Sequence, residues 1–203
     1  VSISNYSELQ TAVANWLARS DLTSYIPDFI TLAEARIYRE MKVRQMETAL
    51  DATISSGVIA VPSGYTSMKF AYVNGSPVTP LERMSLEEMY RQYPVRSSSG
   101  KPRFFARNGS NFEFGPYPDS DYTIKGVYYK KLDALSGSNT SNWLLTDAPD
   151  LILFGALLEA KAFIMDDKRI SLWEARYANA KREIQEQDDA EDVSGSVMTP
   201  RAG

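Results

Sequence analysis

The chain has 203 residues, 43% of them apolar, and its 22 Lys and Arg against 26 Asp and Glu give a formal net charge of -4. Such a chain can bury a real core and is not of disordered composition, and its negative balance argues against tight binding of nucleic acid through phosphates. Cysteine and histidine are both absent, which excludes disulfides, thiolate nucleophiles and zinc–thiolate sites and leaves any catalysis to carboxylates, lysine, tyrosine or a cofactor.

Val1-Ser2-Ile3-Ser4-Asn5 has neither a basic stretch nor an apolar run, so no signal peptide is expected. Asn5 with Glu8 three residues on has the form of a capping box, and Leu9, Val13, Trp16 and Leu17 fall on one face of the helix it opens. Ser20 to Thr23 breaks that pattern. A second helix follows, with Pro27 in its first turn, where the missing amide costs nothing. Ile26, Ile30, Ala33 and Ile37 form its apolar stripe, and Glu34, Arg36, Arg39, Glu40 and Lys42 read as a solvated charged face.

After about residue 45 the period shortens. Ala49 to Ser55, a turn at Ser56-Gly57 and Val58 to Val61 read as a hairpin. Met68 to Val73 is a further strand, and Asn74-Gly75 favours a tight turn with positive φ at both residues. The return strand carries Pro77 and Pro80, which places it at a sheet edge. Ser85 with Glu88 caps a short helix from Leu86 to about Tyr93. Ser97 to Gly100 is a loop. Arg103 to Arg107, Asn108-Gly109 and Asn111 to Gly115 give the clearest hairpin, and Gly115-Pro116-Tyr117-Pro118-Asp119 reverses the chain. Tyr122 to Lys131 is a strand with Tyr122, Ile124, Gly126, Tyr128 and Lys130 on one face.

A third long helix begins near Pro149, and Leu151, Ile152, Leu153, Phe154, Leu157 and Leu158 cover most of its circumference. A helix apolar nearly all round is buried on several sides, by the chain's own core or by a neighbouring copy. The apolar window Leu151 to Ile164 is interrupted by Glu159 and Lys161 and is too short and charged to span a bilayer. In the last helix Ile170, Trp173, Tyr177, Ala180 and Ile184 form a heptad-like seam suited to antiparallel packing on the third helix. From Glu183 the sequence turns acidic, and Val193 to Gly203 has only Val193, Val197 and Met198 as apolar anchors.

Motifs that carry chemistry are few. Asp119-Ser120-Asp121 lacks the glycine and glutamate of a calcium loop and reads as a turn. Asn74-Gly75-Ser76, Asn108-Gly109-Ser110 and Asn139-Thr140-Ser141 match glycosylation acceptors but read as turn chemistry. Glu34, Glu40, Glu82 and Glu159 contain the carboxylates a glycosidase pair would need, yet nothing in the sequence marks a raised-pKa acid among them. Lys101, Arg103 and Arg107 flank Phe104 and Phe105, and Tyr128-Tyr129 precedes Lys130-Lys131. Such interleaving can stack single-stranded nucleic acid, but on a hairpin it more simply means one buried and one wet face. No catalytic, cofactor-binding or metal-binding residue is expected.

Read together, several stretches resemble tailed-phage head-to-tail adaptor (connector) proteins. They are Asn5-Tyr6-Ser7-Glu8-Leu9 through Trp16-Leu17-Ala18-Arg19, Ile26-Pro27-Asp28-Phe29-Ile30, and Ala33-Glu34-Ala35-Arg36-Ile37. The likeness continues through Gly100-Lys101-Pro102-Arg103-Phe104-Phe105 and Gly115-Pro116-Tyr117-Pro118 before Tyr128-Tyr129-Lys130, to Asn142-Trp143-Leu144-Leu145 and Ala148-Pro149-Asp150-Leu151.

The resemblance implies a structural virion protein of the neck, not an enzyme, assembled in the host cytoplasm as a ring, usually of twelve copies, under the portal. Its partners would be itself, the portal protein and tail or nozzle proteins. Double-stranded DNA would pass through the ring without being tightly bound, and no membrane would be involved. The expected fold is α+β and mostly helical: an antiparallel helical bundle with a strand-rich middle extension and an extended C-terminal tail. Its divisions are bundle helices in 1–45, a strand-rich region with one short helix in 46–135, bundle helices in 146–190 and the tail in 191–203. Val193, Val197, Met198, Pro200 and Arg201 are expected to bind the portal, Leu151, Phe154 and Leu158 to pack subunits, and Phe104 and Tyr117 to meet the tail side. The alternatives are another neck component, a stopper or tail-completion protein, or a peptidoglycan-degrading tail enzyme.

Overall fold

The computed structural model describes residues 3–97, 100–131, 133–164 and 167–193, the last with side chains to Glu191. In chain order the elements are α1 (Tyr6–Leu17), α2 (Ile26–Glu40), β1 (Glu47–Thr53), β2 (Val58–Ala60), β3 (Tyr65–Val73), β4 (Thr79–Arg83), α3 (Leu86–Gln92), β5 (Phe104–Asn108), β6 (Asn111–Gly115), β7 (Thr123–Lys130), α4 (Trp143–Asp147), α5 (Pro149–Glu159) and α6 (Ile170–Val193). The chain divides into two compact units, Val1–Gln45 with Leu132–Gly203, and Met46–Lys131.

The first unit is helical. Asn5 caps α1 by accepting from the Glu8 N–H at 3.0 Å, and the Glu8 carboxylate reaches back to the Ser4 N–H at 2.8 Å. Arg169 closes the other end, donating to the carbonyls of Trp16 (2.8 Å) and Leu17 (3.2 Å). α5 is covered by α1, α2, α4 and α6 of its own chain, and its residues from Leu151 to Leu157 are all buried. α6 runs back along α5, with Lys161 paired to Glu174 at 2.8 Å and Tyr177 beside Gly155. Tyr177 and Lys181 of α6 both donate to Glu40 at the end of α2, at 3.1 and 2.9 Å. Arg44 pairs with Asp188 at 3.1 Å and with Glu191.

The charged face of α2 is not all solvated. Glu34 is 2% exposed and accepts from the Leu135 N–H at 3.1 Å and from the Asn142 amide at 2.9 Å. The same Asn142 caps α4, accepting from the Leu144 N–H at 3.1 Å. One buried carboxylate therefore fixes a loop and a helix start from a distant part of the chain.

The second unit overturns the expected mostly helical bundle with a strand-rich extension. Its seven strands form one mixed sheet in the order β1-β7-β3-β4-β5-β6-β2, with a core of its own that includes Leu50, Ile54, Ile59, Val73, Phe105, Phe112, Phe114, Ile124 and Tyr128. β1 and β2 do not pair as a hairpin: β1 lies on β7 and β2 on β6, at opposite ends of that order. The turn after β1, with Ser56 and Gly57 at φ 52° and 79°, joins the two ends through a Ser55–Val58 bridge, so the sheet curls to within one turn of a barrel. The prolines do not put β4 at an edge either. β4 lies between β3 and β5, but its ladder to β5 begins at Glu82, beyond Pro80, so no bond is lost on that side. β4 and β5 are parallel because α3 crosses between them. The β3–β4 connection has no positive φ at Asn74 or Gly75, so it is not the tight turn the sequence suggested. Gly126 of β7 is required by close approach, since a Cβ there would come within 2.8 Å of the Ala71 backbone.

Candidate functional site

The helical unit exposes apolar side chains that the unit itself does not cover. Tyr25 (46% exposed) and Phe163 (46%) pack against each other and against buried Phe29, with ring centroids 5.3 to 6.5 Å apart, and Leu32, one turn beyond Phe29, is 51% exposed. Trp16, expected on the buried face of α1, is 41% exposed and lies edge-on to Phe154 at 5.5 Å. Leu32 sits off the Ile26-Ile30-Ala33-Ile37 stripe, the one sequence signal that marked this corner; Phe163 follows α5 in a 3-10 turn that periodicity did not show.

Of the residues expected to pack subunits, Leu151 is fully buried and Phe154 8% exposed within the chain, while Leu158 is half-buried. Phe104 is half-buried, 6.2 Å from the Tyr93 ring. Tyr117 is half-buried, with the Arg96 guanidinium 5.0 Å from its ring centroid and its ring edge against Gly57. Val193 ends α6, with its side chain outside the described residues; Val197, Met198, Pro200 and Arg201 lie outside them altogether.

Three of the four carboxylates that a hydrolase could use are engaged, and the fourth, Glu82, is exposed on β4. Glu34 holds the loop described above, and Glu159 pairs with Arg36 at 2.7 Å. Burial pushes the Glu40 carboxyl up, but the Lys181 ammonium and the Tyr177 hydroxyl outweigh it and hold the group below its ordinary value. Asp119 accepts from the Tyr122 hydroxyl at 2.7 Å, as a turn residue. Among the described residues, no group of three or more acidic side chains is placed to hold a metal ion, and no helix is long and apolar enough to cross a membrane.

Charge divides between the units. Met46–Lys131 has ten Lys and Arg against eight Asp and Glu, so it carries +2 and the rest of the chain -6. Four cations that have no ion pair among the described residues lie beside β4 and β5. Lys101 and Arg103 line a groove of about 340 Å³ with Thr79, Tyr93 and Pro116. Arg83 and Arg107 line a second hollow of about 360 Å³. In the helical unit a hollow of about 590 Å³ is lined by Ile3, Ser4, Leu145, Thr146, Pro149, Asp150 and Leu153. What the molecule offers is surface: an apolar corner, a basic groove and an acidic helix end. Compared with known proteins, residues 4–201 match the family model described as SU10 adaptor protein. No curated protein matches the chain.

Proposed function

This chain belongs to the SU10 adaptor protein family, a family of phage head-to-tail adaptors, and from that premise we propose that it is a ring-forming structural protein of the virion neck. Copies join head to tail into a closed ring, twelve on the adaptor pattern, under the portal, with tail or nozzle proteins below and double-stranded DNA passing through without tight binding. The ring assembles in the host cytoplasm and does no chemistry. The observation that supports it is the apolar corner of Tyr25, Leu32 and Phe163 on the helical unit. Aromatic and leucine side chains clustered in water are a contact surface awaiting a neighbour.

A ring of identical copies needs two different surfaces on each chain, one giving and one receiving, and closes when their rotation divides the circle. The segment beyond α6 supplies the portal contact. One such segment gives a small contact, whereas a ring of them multiplies the effective concentration. Mass measurement of the protein alone and mixed with portal rings tests the reading. A chain ending at residue 192 should keep its melting temperature and lose capture by portal rings. Undiminished capture of that shortened chain would sink the portal role.

A further inference from the structure

We propose that the groove lined by Thr79, Tyr93, Lys101, Arg103 and Pro116 receives the acidic end of α6 from a second copy of this chain. The inference rests on the head-to-tail reading above and names the two charged surfaces that meet. The groove is built before anything enters it. Arg103 is locked on both sides of its backbone, its N–H donating to the Gly115 carbonyl and its carbonyl accepting from the Glu82 N–H, each at 2.9 Å. The neighbouring Gly100 N–H donates to the Tyr117 carbonyl at 2.8 Å. The Tyr93 ring is held against Gly115, where a Cβ would come within 2.8 Å of it. Lys101 and Arg103 are exposed and have no ion pair among the described residues. Two such cations in one groove with a fixed aromatic ring bind carboxylates at little ordering cost.

The occupant is marked by an unmet charge. Glu183, Glu186 and Asp189 recur every three residues on the exposed face of α6, about 4.5 Å apart along the axis. The inward face carries Tyr177, Ala180, Ile184 and Asp188. A helix ends in a partial negative charge that favours cations, yet the last turn of α6 has no basic residue. On the inward side Arg44 answers Asp188 and Glu191. On the outward side the nearest answer is Arg182, 3.9 Å from Glu186 in a pair that is mostly exposed, and such a pair is worth little. Glu183 and Asp189 have no ion pair among the described residues.

A second copy fits better than nucleic acid. Two cations in one groove neutralise about two phosphates, too few to hold a duplex against a chain of net charge -4. An α6 end, by contrast, is present once for every groove. Because groove and helix end are different surfaces, each copy gives one and receives one, as a closing ring requires.

The natural absence of cysteine makes the contact directly readable. Two full-length variants, Lys101→Cys and Glu186→Cys, are mixed under mild oxidation. A disulfide-linked dimer is expected in the mixture and in neither variant alone, which excludes a bridge within one chain. In parallel, K101E/R103E should weaken self-association about tenfold or more. Adding E183K/E186K/D189K to that same chain should restore it, since both surfaces then carry reversed charge. An oligomer that forms with no mixed disulfide and no charge-swap rescue overturns the groove assignment while leaving the ring reading intact. A chain that stays monomeric alone and with portal rings overturns both. If K101E/R103E leaves self-association unchanged and instead lowers affinity for duplex DNA, the groove is a nucleic-acid surface and the assignment is wrong.

Discussion

Two side chains one turn apart on α2 carry opposite stability consequences. Glu34 is buried and engaged: removing its carboxylate strands the buried Leu135 N–H and unpairs the half-buried Asn142 amide. Leaving buried donors unpaired costs about 1–3 kcal/mol each, and Asn142 also caps α4. Glu34→Ala is therefore expected to destabilise the protein by about 2–4 kcal/mol in urea unfolding. Tyr38 is 5% exposed and its hydroxyl has no hydrogen-bond partner among the described residues, while burial and then the nearby Glu34 and Asp133 charges push its pKa well up. Removing an orphaned hydroxyl while keeping the ring relieves a desolvation penalty, so Tyr38→Phe should be neutral or stabilising by up to about 1 kcal/mol. A loss from Tyr38→Phe comparable with that from Glu34→Ala would show that the hydroxyl has a partner after all. Neither role was legible in the sequence. Glu34 stands among charged neighbours and reads as solvated; its partners lie about a hundred residues away, and no local signal reports them.

At the scale of elements, the longer helices were legible because their caps and apolar stripes are local, whereas the five-residue α4 is too short to leave a periodic trace. Asn5, Ser85 and Pro27 each mark a start that the structure keeps. The individual strands were legible too, but not their arrangement. Ala49 to Val61 looks like a hairpin because sequence adjacency suggests pairing, whereas β1 and β2 each find a better partner elsewhere and meet only at one bridge. Parallel pairing of β4 and β5 across α3 likewise leaves no periodic trace. The attachment of α6 gives a prediction at this scale. It leans on Glu40, whose carboxyl is held below its ordinary value when folded. A depressed carboxylate stabilises fully above its unfolded pKa of about 4.3 and loses that contribution as pH falls through the lower folded value. Stability should thus decline below about pH 4, and Glu40→Gln should both lower stability at neutral pH and flatten that acid limb. An unchanged acid limb in Glu40→Gln would mean that other carboxylates carry it.

For the molecule as a whole, the apolar corner and the basic groove make separable demands on assembly. Leu32 is 51% exposed, so covering it recovers only about 2 kcal/mol per contact at ~25 cal/mol per Å². A closed ring repeats that term at every junction, and a loss too small to unfold one chain can still dissolve the assembly. Leu32→Asp should therefore leave the unfolding free energy within about 0.5 kcal/mol of the parent, as surface changes do. The same variant should shift the native mass from oligomer towards monomer. Salt separates the two surfaces. Raising it to about 0.5 M screens exposed charges and weakens the contact made by Lys101 and Arg103, whereas burial of Leu32 is hardly affected. An oligomer that loosens with salt in the parent but ignores Leu32→Asp would place the corner against a portal or tail protein and leave the charged pair to close the ring by itself.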